Sequence, residues 1–394
     1  VASNTCAVTA EAAKEARSKT RRFHRQNETA EILLTGCYAT IAPEELGKVQ
    51  GAARVVPNAQ KDQLIQIMDP QARIDLPMFD QEPIMRQFLA GSTGHTRAFI
   101  KVQDGCNNRC TFCVTTVARG EGQSRHLGDI VAEIQALSAA GYREAVLTGV
   151  HLGSYGYDFG NQAGLRDLVQ AILDHTDIPR LRLSSLEPWD LAPNFFELWQ
   201  DPRLLPHLHV PLQSGSDRVL RRMARRTSRS SFRALIDEAR ANIPHLNLST
   251  DLIMGFPGET DEDFEQTMGY VEEIGFSRLH VFSYSQRPGT VAATMADQVP
   301  VPVRKERTRQ MISLGKRLSA AFHQRFVGQT LDVLWETAVG ADERGLRWVG
   351  YTDNYIRVSG NGPADLFNQI TAVSFKAADS DGLQAYPSPM KTAV

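Results

Sequence analysis

Between about residues 97 and 300, six short apolar runs alternate with amphipathic stretches, and no other feature restricts the fold as strongly. The runs fall at 98–102, 145–150, 180–185, 207–212, 247–254 and 279–284. The intervening stretches carry helix spacing. Ile130, Ile134 and Leu137 form one stripe, closed by Gly141; Phe264, Met268 and Val271 form another, entered through Thr260 and Asp263. Strands joined by helical crossovers must run parallel, so the chain is expected to be α/β, with a partial parallel (β/α)6 barrel at its centre. Chemistry in such barrels gathers at the C-terminal ends of the strands.

The first of these strands runs directly into Asp104-Gly105-Cys106-Asn107-Asn108-Arg109-Cys110-Thr111-Phe112-Cys113. Cys106, Cys110 and Cys113 have C-x3-C-x2-C spacing on a loop short enough to wrap one polynuclear metal centre. Three thiolates leave one iron of a four-iron cluster without a protein ligand, open to another molecule. A zinc knuckle would pair C-x2-C with a second Cys pair or with His, and the nearest His, His126, stands outside any such spacing. The spacing favours iron–sulfur over zinc or free thiols.

The loop, with Phe112 just before its third cysteine, resembles the signature of the radical S-adenosylmethionine (SAM) enzymes. That resemblance implies a [4Fe-4S] cluster on Cys106, Cys110 and Cys113 whose open iron chelates SAM. It also implies reductive cleavage of SAM to a 5′-deoxyadenosyl radical, chemistry that belongs to the cofactor. The later strand ends supply residues suited to such a site. Thr148 and Gly149 end one strand, and Gly149 lets backbone approach a ligand closely. Ser185 and Glu187 can bond ribose hydroxyls, Gln213 offers both a donor and an acceptor, and Met254, Gly255 and Phe256 can pack an adenine.

Flanking segments complete a three-part organisation: residues 1–90, 91–326 and 327–394. In the first, Cys6 and Cys37 each end a parallel-looking strand, the place where α/β sheets put their sites. A polar stretch at 68–96 reads as a linker. In the last, short strands at 330–335, 346–351, 355–358 and 370–375 suggest a small OB-like β-barrel. Its eight acids against five bases do not point to RNA, though Trp348, Tyr351 and Tyr355 are candidates for base stacking. Two basic regions do suggest phosphate. One is the helix holding Lys14, Arg17, Lys19, Arg21, Arg22 and Arg25. The other is the run Arg218, Arg221, Arg222, Arg225, Arg226, Arg229 and Arg233, which contains no acid.

Composition narrows the setting. No apolar run approaches the eighteen or so residues of a membrane span, so no membrane association is expected. Five cysteines, three of them clustered, suit a reducing cytoplasm. With a net charge of −2, nucleic-acid binding must rest on local patches. The chain opens at Val1, inside what reads as a strand, so the natural N-terminus is expected to lie upstream.

Over nearly its full length the sequence resembles the methylthiotransferases. Asn4-Thr5-Cys6-Ala7-Val8-Thr9 and Thr35-Gly36-Cys37-Tyr38-Ala39 match two of the three cysteines that bind that family's auxiliary [4Fe-4S] cluster; the first would precede Val1. The C-terminal segment resembles the TRAM domain, an RNA-binding module, at Gly328–Leu334 and Gly350–Tyr355. Leu147 to Asp158, with Arg182 to Pro188, are most similar to the branch acting on N6-threonylcarbamoyladenosine in tRNA. Departures from the family pattern fall at Thr116, usually Pro, and at Thr227, often Tyr. The resemblance implies insertion of a methylthio group at C2 of that adenosine, next to the anticodon. One SAM would serve as hydrogen abstractor, a second as methyl donor, and the auxiliary cluster as sulfur carrier. A flavodoxin- or ferredoxin-type electron donor, a sulfur source, tRNA contacts through Arg221, Arg222, Arg225 and Arg226, and a monomer are implied with it. Isopentenyladenosine in tRNA or a ribosomal-protein aspartate are the alternative substrates; an RNA-binding protein with a structural metal is the alternative class.

Overall fold

The computed structural model describes residues 1–7, 9–71, 96–343 and 345–385. The N-terminal unit is a parallel sheet ordered β1 (Ala2–Thr5), β2 (Ile32–Gly36), β3 (Ala52–Val56). The helix Ala10–Gln26 crosses from β1 to β2. It starts where the Thr9 hydroxyl accepts the Ala12 N–H at 3.1 Å, filling one of the donors a helix start leaves unmet. Ala13, Ile32, Leu34, Tyr38 and Leu46 form its core. The linker stretch at 68–96 falls, from 72 to 95, outside the described residues.

The central unit contains β4 (Arg97–Asp104), β5 (Gln123–Ser124), β6 (Glu144–Gly149), β7 (Arg180–Leu183), β8 (His207–His209), β9 (Asn247–Met254) and β10 (Arg278–Ser283). β5 is a short antiparallel edge on β4; the other six run parallel. Isolated bridges at Leu181–Leu204 and Ser185–His209 carry the sheet from β7 to β8, making one curved wall from β4 to β10. This is the partial barrel that the six apolar runs foretell. Helices pack Ile130, Ile134, Phe232, Ile236 and Val271 against its outer face in one large core. The Thr260/Asp263 start is a full capping box. Among the described residues, no helix is long and apolar enough to cross a membrane.

The C-terminal unit is a closed barrel ordered β11 (Thr330–Asp342), β12 (Gly345–Thr352), β13 (Arg357–Gly362), β15 (Leu383–Ala385), β14 (Ile370–Ala378). It fits a TRAM-like module. β15 is too short to leave an alternating pattern, and only closure reveals it. Trp335 and Trp348 fill the barrel's interior, so Trp348 is not free to stack a base. Tyr355 precedes β13 rather than lying in a strand. Its φ of +66° turns it out of the barrel and onto the base of the central unit, where Arg97 Nη1 donates to its hydroxyl at 2.7 Å and the Arg182 guanidinium lies 4.2 Å from its ring centre. The helix Val301–Gln324 links the two cores: Met311 and Leu314 pack on the half-barrel, Phe322 on the small barrel.

Candidate active site

The thiol loop sits at the C-terminal end of β4, fastened from several sides. Gly105 has φ +73°, and a Cβ there would lie 1.9 Å from the Glu121 carbonyl oxygen, so only glycine fits. Asp104 accepts from the Gly105 N–H at 2.8 Å and pairs with Arg119 at 3.0 Å. The Thr111 N–H and hydroxyl donate to the carbonyls of Met223 and Arg222. Thr116, where the family pattern has Pro, donates its hydroxyl to the carbonyls of Cys106 (2.9 Å) and Asn108 (3.1 Å), so the departure supplies a clasp of its own.

Each sulfur has a hydrogen-bonding or cationic neighbour. Arg225 Nη1 stands 3.8 Å from Cys110 Sγ, and the Thr115 N–H points at Cys113 Sγ from 3.4 Å. His151, at the end of β6, lies against Cys106; its ring pairs with Asp190 at 2.5 Å, and Nδ1 has no hydrogen-bond partner among the described residues. Burial opposes charge on His151, but Asp190 and the neighbouring thiol outweigh it and push its pKa up to about 10. Burial pushes the Cys110 thiol up, against the pull of Arg225. Among the described residues, no three His, Cys, Asp or Glu side chains close around a single ion. Three thiols ringed by donors and cations fit an anionic thiolate-bound cluster.

Beside Cys113 opens a cavity of about 200 Å³. Phe112, Gln213, Asp251, Ile253, Phe282 and Tyr284 line it from the half-barrel, and Thr9 closes it from the N-terminal unit. That unit is seated by the Ala10 N–H, which donates to Ser285 Oγ at 3.1 Å. Cys37 faces the same end. Asn58 Nδ2 reaches Cys37 Sγ at 3.7 Å and the Ala118 carbonyl at 2.8 Å, which places Cys37 beside the helix that follows the thiol loop. Cys6, just after β1, is exposed.

Of the residues singled out from sequence, Phe112, Cys113 and Gln213 meet in the cavity; Met254 and Gly255 do not. Met254 is fully buried in the core, and Gly255 makes room for the Arg304 side chain. Gly149 packs against Gln103 and Leu152, Thr148 donates to the Ile100 carbonyl, and Ser185 is exposed. Glu187 is held by Arg225 Nη2 at 2.6 Å.

Arg225 itself is the main correction. Expected on an RNA-facing surface, its side chain is 1% exposed, stacks 4.4 Å over Trp189 and belongs to the thiol loop. The rest of the arginine run is also partly spoken for. Arg218 pairs with Asp263, Arg222 donates to the Pro257 carbonyl, and Arg233 pairs with Glu273. Arg221 and Arg226 remain exposed, without an ion pair to any described residue. Sequence reasoning also missed Asp190 and Tyr284, neither of which lies in a recognisable motif.

Residues 100–271 match the Radical SAM superfamily, and residues 1–57 match Uncharacterized protein family UPF0004. A threonylcarbamoyladenosine tRNA methylthiotransferase of Bacillus subtilis is 36% identical over 95% of this chain and 85% of its own length. The chain belongs to the radical SAM methylthiotransferases. A tRNA-2-methylthio-N(6)-dimethylallyladenosine synthase of Kineococcus radiotolerans is 40% identical, over 68% of this chain and 51% of its own length. Among solved structures, the radical SAM methyltransferase TsrM of Kitasatospora setae, with cobalamin and a [4Fe-4S] cluster bound, shares the fold. Its TM-score is 0.58 at 17% identity, covering 74% of this chain and 65% of that one. This methylthiotransferase is thus an enzyme of SAM and iron–sulfur chemistry built on a half-barrel.

Proposed function

We propose that the chain inserts a methylthio group into N6-threonylcarbamoyladenosine of tRNA. One observation carries the reading: a single cavity where the thiol loop, the half-barrel lumen and the N-terminal unit meet, with Cys37 turned toward the same end. The similarity to the threonylcarbamoyl relative over nearly the whole chain favours that branch over the dimethylallyl one, whose match is shorter.

In this reading Cys106, Cys110 and Cys113 hold the first cluster, while Cys6 and Cys37 contribute to a second. When bound, these groups and SAM supply the hydrogen-abstracting, sulfur-donating and methyl-donating chemistry. The chain's own work is positioning and shielding. Arg225, fixed by Glu187 and the Pro211 carbonyl, presents a positive charge beside Cys110, suited to a carboxylate on the cofactor. Gln213 and Asp251 offer hydrogen bonds to hydroxyls, and Phe112, Ile253 and Tyr284 exclude water from the reacting atoms. Arg221 and Arg226 take RNA phosphates. The enzyme works as a monomer in the reducing cytoplasm, with a flavodoxin- or ferredoxin-type donor and a separate sulfur source.

The test is anaerobic reconstitution with iron and sulfide. Stem-loop RNAs carrying threonylcarbamoyl- or dimethylallyladenosine follow, then mass analysis of the digested nucleosides. The expected outcome is a methylthio product on the threonylcarbamoyl RNA; conversion of the dimethylallyl RNA alone overturns the branch. The Cys6→Ala, Cys37→Ala double variant is expected to cleave SAM without forming that product.

A further inference from the structure

Strand register places a polar column directly beneath the cavity. In the parallel β9–β10 pair, Phe282 stands beside Ile253, His280 beside Asp251, and Arg278 beside Ser249. Phe282, Ile253 and Asp251 line the cavity, and neighbours across a strand pair share a face, so His280 occupies the rung just below, on the same lumen side. The intervening Leu279 turns the other way, onto Gly315 of the long helix. On β8, His209 faces the same column: its ring lies 5.3 Å from that of His280, Nδ1 is 2.9 Å from Ser249 Oγ, and Nε2 is 3.3 Å from Asp251.

These two histidines differ in what they lack. His209 is satisfied on both ring nitrogens by Ser249 and Asp251. His280 makes no hydrogen bond or ion pair with any described residue, and neither does Arg278 one rung further down. Half-buried His280 and exposed Arg278, one and two strand rungs from the residues that line the cavity, are therefore open to a ligand atom. The sign is also informative. Asp251, the nearest acid, is already engaged by His209, so the column's free groups are an imidazole and a guanidinium, suited to an anion.

We infer that His280, backed by Arg278, receives the carboxylate at the end of the substituent on the target adenine, and thereby selects an acidic substituent over an apolar one. This rests on the reading that the substrate is threonylcarbamoyladenosine, whose threonine portion ends in a carboxylate; a dimethylallyl group has no polar atom to offer. A site that hydrogen-bonds a substrate group discriminates against analogues that do not offer it.

The experiment measures binding of the full chain to a stem-loop RNA carrying threonylcarbamoyladenosine, to the same RNA with the carboxylate methyl-esterified, and to the unmodified RNA, by fluorescence anisotropy. The unaltered chain is expected to lose about 10- to 100-fold in affinity on esterification, the range for a hydrogen bond to a charged group. His280→Leu is expected to bind the acid and the ester alike; His280→Gln, which keeps a donor, to retain part of the preference. Thermal unfolding identifies a misfolded variant. If His280→Leu is one, Arg278→Leu and His280→Gln decide, and a full preference for the acid in both overturns the inference. So does an undiminished preference in a folded His280→Leu. If the unaltered chain binds threonylcarbamoyl RNA no better than unmodified RNA, the substrate reading itself has failed.

Discussion

At the base of the half-barrel, Glu144 is 1% exposed between Arg180 (3.0 Å) and Arg182 (2.8 Å), while Arg97 pairs with Glu336 of the small barrel at 2.6 Å. Tyr355 lies over Arg97 and Arg182, and Arg180 donates to the Thr352 carbonyl at 2.7 Å. At the mouth, Arg225 and Glu187 make the same kind of pair at 2.6 Å, yet Cys110 Sγ lies 3.8 Å from Arg225, and the cavity opens beside the next thiol, Cys113. Both ends bring arginine and glutamate into a low-dielectric space. One end uses them to fasten a domain; the other sets them beside the thiols and the cavity, although both ends keep buried nitrogens without a hydrogen-bond partner, Arg180 Nη1 and Arg182 Nη1 at the base and Arg225 Nε at the mouth. The presence of buried charge therefore does not mark the active end. Neighbouring thiols and an open cavity do.

The largest expected effect removes the mouth's chemistry without touching the base. Cys110→Ala should abolish 5′-deoxyadenosine formation under reductant and lower the iron bound per chain, because two thiolates do not hold the cluster with its open iron. The small cavity costs only about 1 kcal/mol, so the unfolding midpoint should scarcely move. Retained SAM cleavage in the triple Cys106, Cys110, Cys113 alanine variant would contradict the assignment.

The converse experiment attacks the base. Glu144→Ala leaves Arg180 and Arg182 without their shared counter-charge and should destabilise the protein by about 3–5 kcal/mol, read by denaturant unfolding. The pH signature is specific. Burial raises the Glu144 carboxyl, but Arg182 and Arg180 outweigh it and hold it below the usual range. Its contribution is then full above the unfolded-state value of about 4.3 and is lost as pH falls below it. Glu144→Gln should flatten that acid limb; an unchanged limb would mean the pair contributes nothing.

The smallest effect concerns the outer surface. Neutralising Arg221 and Arg226 together should reduce the slope of log affinity for tRNA against log salt by up to about 2, in proportion to the phosphates released. Arg225, sealed inside, should instead alter SAM binding. An unchanged slope in the double variant would return both arginines to the status of a solvated face.

Much of this was written locally. The period of the apolar runs fixes strands and crossovers, hence the half-barrel, and the spacing of Cys106, Cys110 and Cys113 places the thiols on a β4 loop with no need of distant residues. Capping at Thr260 and Asp263 is equally local, since three residues of helix bring the partners together. What the sequence left open were pairings between residues far apart. Arg225 meets Glu187 across 38 positions, and Arg218 meets Asp263 across 45; with Arg233 on Glu273, three of the seven arginines that read as uncompensated are ion-paired. Tyr355 sits in a pattern that reads as a strand, yet contact with Arg97 and Arg182 makes it a plug. His280 is one unremarkable residue in an apolar run until the β9–β10 register sets it beside Asp251. Local spacing is set by bond geometry and backbone period, which the sequence carries directly. Charge pairing and lumen orientation are decided only when the closed sheet and its docked domains choose which side chains lose water together.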